Sequence, residues 1–353
     1  MPAEGSGVSV FEFSDDELHE VTISTKTGRI KDSKRCIENY LLEVKIKEQF
    51  TVQINDTETR RTKIHYIQTM KKLFIATIGC LLLFDSSGVA QIGTASTRGK
   101  LFIIGGGDRS RELMQNLIAT AGMKSNDYAV VLPMSSEYPD TSFYYFKEDY
   151  YPVCKNTIVC FNFTRQTSNY RNWLDSLEHA RLIFITGGDQ ARFMNIVINT
   201  PIYQAIHKAF KNGATIAGTS AGAAVMSRYM ITGNQLTDTS YSSTFPVVHA
   251  NNIEIKEGLG LLTFAIIDQH FIVRSRYNRL LSAIAKYPSL PCIGIDEGTA
   301  IIVQGNTIKI AGESQVIVLK HPEHVQVTSK GLIKFKDLQF SVYTEGDEFS
   351  IRK

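Results

Sequence analysis

Five short apolar segments, each followed by glycine or polar residues, constrain the fold of the chain after Lys100. They are LFIIGGGD (101–108), YAVVLPMSS (128–136), TIVCFNF (157–163), RLIFITGGDQ (181–190) and ATIAGTSAGAAVM (214–226). Stretches with helical spacing separate them. Short apolar strands that alternate with helices are typical of βαβ units, whose parallel strands are buried on both faces. The pattern therefore predicts an α/β fold with a parallel sheet.

The C-terminal part has a different pattern. IGIDEGTAIIVQG (293–305), IKIAG (308–312) and SQVIVLK (314–320) follow one another with only short polar turns between them. Strand–turn–strand spacing of this kind predicts a small antiparallel addition to the sheet.

Composition excludes several classes of protein. The 38 Lys and Arg nearly balance the 35 Asp and Glu, so there is no basic field to attract nucleic acid. Five cysteines spread over 353 residues do not indicate a disulfide scaffold. No segment approaches the ~20 apolar residues that span a membrane.

Residues 70–90 have the three parts of a secretory signal peptide. Met70 and two lysines precede the uncharged segment LFIATIGCLLLF (73–84), and small residues follow at 88–90. If Met70 is the functional start, residues 1–69 are an extension of unknown role, and the protein is secreted or periplasmic. Otherwise it is cytoplasmic, and the apolar segment is a buried core element. Residues 91–353 then form the main domain.

The strongest chemical signal is the G-x-S-x-G sequence at residues 218–222, set between an apolar strand and a helix. A serine there lies on a tight, strained turn that exposes its hydroxyl, as in a nucleophile elbow. The N–H of Ala221, at the start of the helix, can donate to an oxyanion. The alternative is a turn of small residues used only for close packing. The context favours Ser220 as a nucleophile.

A base and an orienting acid are available on later strands. His270 follows Asp268 and Gln269 at the end of the apolar segment LLTFAII (261–267), and an imidazole titrates near neutrality. Asp296 and Glu297 follow CIGI (292–295), and either carboxylate could orient the histidine. The order Ser–His–acid differs from that of α/β-hydrolases, in which the histidine comes last.

Further residues suggest how a substrate would be held. Three arginines follow the histidine at the start of a predicted helix: Arg274, Arg276 and Arg279. Arginine binds carboxylates bidentately, so these residues suggest an acidic substrate, the alternative being an exposed basic face. In the loop after the fourth strand, Gly188 and Asp189 could supply a second oxyanion donor, and Gln190 could bind a substrate amide. The alternative there is an ordinary loop and helix cap.

No cofactor is expected. The glycines at 105–107 do not complete a dinucleotide-binding G-x-G-x-x-G, and the chain has no H-E-x-x-H, C-x-x-C or Walker lysine motif. The sequence therefore predicts chemistry without a metal or nucleotide.

Four motifs together resemble the cyanophycinases, in the serine peptidase family that also contains aspartyl dipeptidase E. They are TGGDQ (186–190), GTSAGAA (218–224), DQHF with RSRYNRL (268–280) and GIDEGTA (294–300). The resemblance extends over about residues 101–319. It implies a flavodoxin-like fold related to class I glutamine amidotransferases, a mostly parallel sheet with helices on both faces. The main domain, 91–353, would then be a peptidase domain.

The resemblance also implies a function. It implies a Ser220–His270–Glu297 triad, which selects Glu297 over Asp296, and no metal. It places six residues in the substrate pocket: Gln190, Asp268, Gln269, Arg274, Arg276 and Arg279. The implied reaction is the exopeptidase release of β-Asp-Arg dipeptides from cyanophycin, multi-L-arginyl-poly-L-aspartate, by a homodimer.

Two alternatives stay open at this point. One is a dipeptidase E-like enzyme acting on other Asp-containing or isoaspartyl peptides, and the other is a secreted, non-catalytic binding protein of the same fold. The segments GGGDRS (105–110) and FNFT (161–164) depart from the family pattern.

Overall fold

A computed structural model describes residues 8–13, 18–23, 99–237, 242 and 244–351. The chain divides into two units, Met1–Gln91 and Ile92–Lys353. In the first, strands β1 (Val8–Phe13) and β2 (Leu18–Ile23) pair antiparallel. The predicted signal peptide, residues 70–90, lies outside the described residues.

The second unit is built on an eight-stranded sheet. The five predicted segments form its parallel part: β3 (Lys100–Ile104), β4 (Tyr128–Leu132), β5 (Thr157–Cys160), β6 (Leu182–Ile185) and β7 (Thr215–Thr219). Their order across the sheet is β3-β7-β6-β4-β5. The prediction of a mostly parallel sheet is therefore confirmed.

Helices cover both faces of this sheet. They are α1 (Arg111–Ala121), α2 (Pro139–Tyr150), α3 (Arg171–His179), α4 (Gln190–Val197), α5 (Pro201–Lys211) and the single turn α6 (Ala221–Ala224). Successive strand residues point to opposite faces. Phe102 and Ile104 accordingly pack with apolar residues of α1 and α2, whereas Leu101 and Ile103 pack in the core that α3, α4 and α5 share.

The antiparallel part is divided between two sheets. Strands β12 (Thr299–Gln304), β13 (Thr307–Gly312) and β18 (Glu348–Ser350) extend the large sheet beyond β3. Strands β11 (Cys292–Ile295), β14 (Val316–Lys320) and β17 (Gln339–Tyr343) belong to a second, four-stranded sheet, with β10 (Ile266–Gln269) parallel to β11. The predicted antiparallel addition is thus present, but it is not one separate layer, because the chain changes sheets at residues 296–298.

The remaining elements are two antiparallel hairpins and one helix. The hairpins are β8 (Tyr229–Gln235) with β9 (Ile253–Glu257), and β15 (Glu323–Val327) with β16 (Ile333–Lys336). Helix α7 (Tyr277–Lys286) packs against β11 and β14 through Leu280, Ala283 and Ile284. Within the described part of the chain, no helix is long and apolar enough to cross a membrane.

The loop after β3 joins the two sheets where their parallel strands end. The N–H of His270, at the end of β10, donates to the carbonyl of Gly105 over 2.7 Å. The N–H of Gly298, after β11, donates to the carbonyl of Gly106 over 2.9 Å. The carboxyl ends of β3, β6, β7, β10 and β11 therefore meet at one place, as ligand sites do in open α/β sheets.

Candidate active site

Ser220 lies on the strained turn that the sequence predicts between β7 and α6. Its φ of 51° and ψ of −108° lie in a region that L-residues rarely adopt. Glycine is required on both sides of the turn. A Cβ on Gly218 would lie 2.3 Å from the carbonyl oxygen of Gly222, and one on Gly222 would lie 2.2 Å from that of Ile185. The turn therefore holds the hydroxyl in one position at the edge of the sheet.

The structure brings the three side chains of the predicted triad together. Nε2 of His270 lies 2.8 Å from Oγ of Ser220, and Nδ1 lies 2.5 Å from Oε1 of Glu297. Because a carboxylate only accepts hydrogen bonds, Nδ1 carries the proton and Nε2 is left to accept that of the serine. This is the arrangement in which an imidazole can act as a general base toward a hydroxyl.

The neighbouring acid, Asp296, has a different set of partners. Its Oδ1 accepts the backbone N–H groups of Ile272 and Val273 over 2.9 and 3.0 Å, and its Oδ2 accepts the hydroxyl of Ser314. Asp296 therefore fixes the turn that follows His270, while Glu297 contacts the ring itself. Of the two acids that the sequence offers, Glu297 is therefore the one that contacts His270, which supports its choice as the orienting group.

Burial and a nearby arginine keep His270 neutral. Desolvation is the main cause that lowers the pKa of His270 below 6.5, and it is opposed by the hydrogen bond to Glu297. The positive charge of Arg274 lowers the pKa further. The folded protein thus holds this histidine in its basic form at neutral pH, as a general base requires.

A cavity of about 470 Å³ opens beside the serine. Its lining includes Thr186, Gly187, Thr219, Ser220 and His270, together with residues that sequence reasoning did not select: Gly106, Gly107, Asp108, Arg109, Ser142, Tyr145, Asp149 and Phe184. The GGGD segment at a strand end was a signal for Gly106, Gly107 and Asp108. The residues on α2 had no such signal, because nothing in its local sequence indicates which of its sides faces the cavity.

One of the predicted oxyanion donors is wrong. The N–H of Asp189 already donates to the carbonyl of Ser135 over 2.8 Å, and its carboxylate caps α4 by accepting from the N–H groups of Ala191 and Arg192. Ala221 follows the serine directly at the start of α6, as expected. Gly188 lies against the backbone of Ser135, and the neighbouring Gly187 is the residue of this loop that lines the cavity. The roles of Ala221 and Gly188 stay predictions.

Five of the six predicted pocket residues are buried: Gln190, Asp268, Gln269, Arg276 and Arg279. Asp268 pairs with Nε and Nη2 of Arg279, and Gln269 accepts from Arg276. The amide of Gln190 donates to the carbonyls of Ile231 and Thr232 on β8. These side chains have partners within the protein, so their contact with a substrate stays a prediction.

The arginines do not form an exposed basic face. Arg276 and Arg279 are 3% and 1% exposed, because both turn inward to Asp268 and Gln269 when α7 packs on the second sheet. Arg276 lies just before α7 rather than within it. Arg276 and Arg279 therefore do not form the exposed basic face that the sequence left open as an alternative. Arg274 differs, since it stays partly exposed in the turn after His270.

Among the residues that the structure describes, no group of three or more His, Cys, Asp or Glu side chains is arranged to hold a metal ion.

Comparison with known proteins gives one family. The sequence model of peptidase family S51 matches residues 101–311. The cyanophycinase of Trichormus variabilis is 29% identical over 267 residues, which cover 72% of this chain and 87% of the relative. The cyanophycinase of Geminocystis herdmanii is 31% identical over 187 residues, which cover 51% of this chain and 66% of the relative.

A solved structure has the same fold. The crystal structure of a peptidase from an acI-B1 actinobacterium superposes with a TM-score of 0.53 and 21% identity, covering 72% of this chain and 97% of that one. At this identity the likeness supports the α/β fold with its mostly parallel sheet.

Gly106→Ala tests whether close backbone approach positions the histidine. A Cβ at Gly106, where φ is +121°, would lie 2.2 to 2.7 Å from ring atoms of His270. We expect peptidase kcat/KM to fall ~100-fold, because a displacement of about 1 Å at a catalytic group has this cost. Gly305→Ala is the control: its φ is also positive, at +61°, but nothing lies within 4 Å. Equal loss of activity in both variants would contradict the positioning role.

Arg274→Gln tests the electrostatic effect on the histidine. In the wild-type protein the charge of Arg274 disfavours the imidazolium form of His270. Its removal should therefore raise the pKa of His270. NMR titration of the His270 ring protons, assigned by their loss in His270→Asn, measures the change. Arg274→Lys keeps the charge and serves as the matched control. A pKa that stays unchanged in Arg274→Gln would contradict the assignment.

Proposed function

The chain belongs to peptidase family S51, and we propose that it is a serine exopeptidase that hydrolyses cyanophycin to β-Asp-Arg dipeptides. One observation carries the proposal: the hydrogen-bonded line from Ser220 through His270 to Glu297, with the serine on a strained turn. The two relatives described above, both named cyanophycinase, support the choice of substrate.

In the proposed mechanism, Oγ of Ser220 attacks the carbonyl carbon of the scissile amide, and its proton passes to Nε2 of His270. The imidazolium then gives this proton to the leaving nitrogen, so that the C–N bond breaks and an acyl-enzyme forms. Water repeats the sequence: its proton goes to His270, its oxygen bonds to the acyl carbon, and the proton returns to Ser220. Glu297 stabilises the imidazolium in both halves.

Backbone N–H groups supply the oxyanion site. The N–H of Ala221, next to the nucleophile, is one donor, and an N–H of the loop at 187–188 is the second. Each such donor is worth about 3–4 kcal/mol of the barrier. The N–H of Asp189 is not used, because it is bonded to Ser135.

The size of the cavity suits the end of a substrate polymer. Its volume of about 470 Å³ lies within the range of small-ligand sites, about 300–1,000 Å³. A site of this size holds one or two residues rather than a long stretch of polymer. This size supports release of a dipeptide from an end of the chain.

Incubation with purified cyanophycin tests the function. We expect β-Asp-Arg as the main product by liquid chromatography and mass spectrometry. Ser220→Ala should lower turnover by at least about 10⁴-fold without unfolding the protein, because it removes the nucleophile. Ser168→Ala, on an exposed loop, is the control.

Three results separate the possibilities. Hydrolysis of Asp-X or isoaspartyl dipeptides but not of cyanophycin would replace the proposal with a dipeptidase. Full turnover by Ser220→Ala would contradict the mechanism. Turnover of no peptide substrate by the folded protein would contradict the function.

We also propose that residues 70–90 are a signal peptide, with Met70 as the functional start, and that the mature enzyme is secreted or periplasmic and dimeric. The lysines, the apolar segment at 73–84 and the small residues at 88–90 support the signal peptide. Secretion would bring the enzyme to polymer outside the cell.

Peptide mapping of the exported protein tests the signal peptide. Expressed with its own N-terminal region in a secreting host, the mature protein should begin close after Ala90 and lack residues 73–84. A soluble exported product that keeps residues 73–84 intact would contradict the proposal. Expression from Met70 should give the same mature protein.

A further inference from the structure

The cavity beside Ser220 has an acidic wall on the side formed by α2 and the loop after β3. Asp108, Asp149 and Tyr145 line this wall. They belong to none of the four motifs that point to the family. The buried residues Asp268 and Arg279 do not line the cavity. A substrate in the cavity would therefore contact the acidic wall rather than these two residues.

One carboxylate oxygen of Asp149 contacts Arg109, and the other is available to a ligand. Nε and Nη2 of Arg109 both contact Oδ2 of Asp149. Oδ1 keeps its lone pairs, and the side chain of Asp149 is 29% exposed. A carboxylate held in place by an arginine on one oxygen can accept from a cationic donor on the other.

Asp108 and Tyr145 add a second charge and an aromatic face. Asp108 is exposed in the cavity at the end of the glycine loop, and Tyr145 is 60% exposed on α2. A planar guanidinium can stack on an aromatic ring while its N–H groups donate to carboxylates. Few other side chains combine these two properties.

The charges of the wall favour a cation. The lining contains two carboxylates, Asp108 and Asp149, against one guanidinium, that of Arg109. Arg109 pairs with Asp149 and lies over the ring of Phe184, 5.7 Å from its centroid. This pair is neutral overall, so Asp108 leaves the wall with a net charge of −1. The depressed pKa of His270 keeps the imidazole neutral and adds no positive charge.

We infer that Asp108, Asp149 and Tyr145 bind the guanidinium group of a substrate side chain next to the scissile bond, and so select substrates with an arginyl branch. The inference rests on the proposed function, because it assigns a specificity pocket to the same serine. It adds residues that the family motifs do not contain.

A pair of substrates isolates the charge. One is a synthetic oligomer of β-Asp-Arg units, and the other is the same oligomer with citrulline in place of arginine. Citrulline has nearly the same shape but a neutral urea group. We expect kcat/KM to be at least about 10-fold higher for the arginine oligomer, since the citrulline oligomer loses charge-assisted hydrogen bonds.

Variants assign the effect to the wall. Asp149→Asn and Asp108→Asn should each lower the arginine-to-citrulline ratio of kcat/KM about 5-fold or more, and the double variant should bring it close to one. Asp108 is exposed, so its variant folds even if loss of the Arg109 pair destabilises Asp149→Asn. Glu148→Gln, an exposed neighbour on α2 outside the cavity, is the matched control and should keep the wild-type ratio.

The outcomes separate this inference from the proposed function. Equal hydrolysis of both oligomers by the wild-type protein would overturn the inference and leave the serine exopeptidase standing. Preference for citrulline would also overturn it and would show that Arg109 governs the wall. If the wild-type protein prefers the arginine oligomer but neither Asp149→Asn nor Asp108→Asn changes this preference, other residues recognise the arginine. That result would also overturn the inference. Hydrolysis of neither oligomer would defeat the function and the inference together.

Discussion

The proposed active site depends on the backbone hydrogen bonds that join the two sheets at the loop after β3. Ser220 follows a strand of the large sheet, whereas His270 and Glu297 follow strands of the second sheet. The carbonyls of Gly105 and Gly106 accept from His270 and Gly298, which fixes the position of one sheet edge against the other. The glycines are needed because side chains at 106 and 107 would collide with the histidine and the glutamate. The hydrogen-bonded line from Ser220 to Glu297 thus depends on inter-sheet packing as well as on its three side chains.

Burial has two opposite effects on the chemistry. It lowers the pKa of His270 and so keeps the base neutral, but it also raises the cost of forming the imidazolium during the reaction. In the proposed mechanism, Glu297 offsets that cost through its hydrogen bond with Nδ1. Asp296 has no part in this exchange. It holds the turn after the histidine, so two adjacent acids have separate tasks.

Much of the fold and of the triad could be predicted from the sequence, and the exceptions have physical reasons. Parallel strands buried on both faces are nearly continuous apolar segments, so β3 to β7 were evident. Ser220 and His270 could be found because each follows such a strand. The second sheet could not be predicted. Strands β11 and β12 are neighbours in sequence but belong to different sheets, because each pairs with a distant segment of the chain. Arg276 and Arg279 turn inward to Asp268, and no local pattern indicates which way a side chain at a helix start will point. Asp189 serves as a helix cap, a role that its residue type also fits. The acidic wall on α2 becomes visible only when the helix is packed against the loop after β3.

The central claim, that Ser220 is a nucleophile activated by His270, is tested most directly by covalent labelling with diisopropyl fluorophosphate. The account predicts that one phosphoryl group attaches to Ser220, by intact mass and peptide mapping. The labelling rate should fall at acid pH as His270 gains a proton, and His270→Asn should lower it by orders of magnitude. Labelling of another residue, or labelling of Ser220 at a rate that His270→Asn leaves unchanged, would contradict the account.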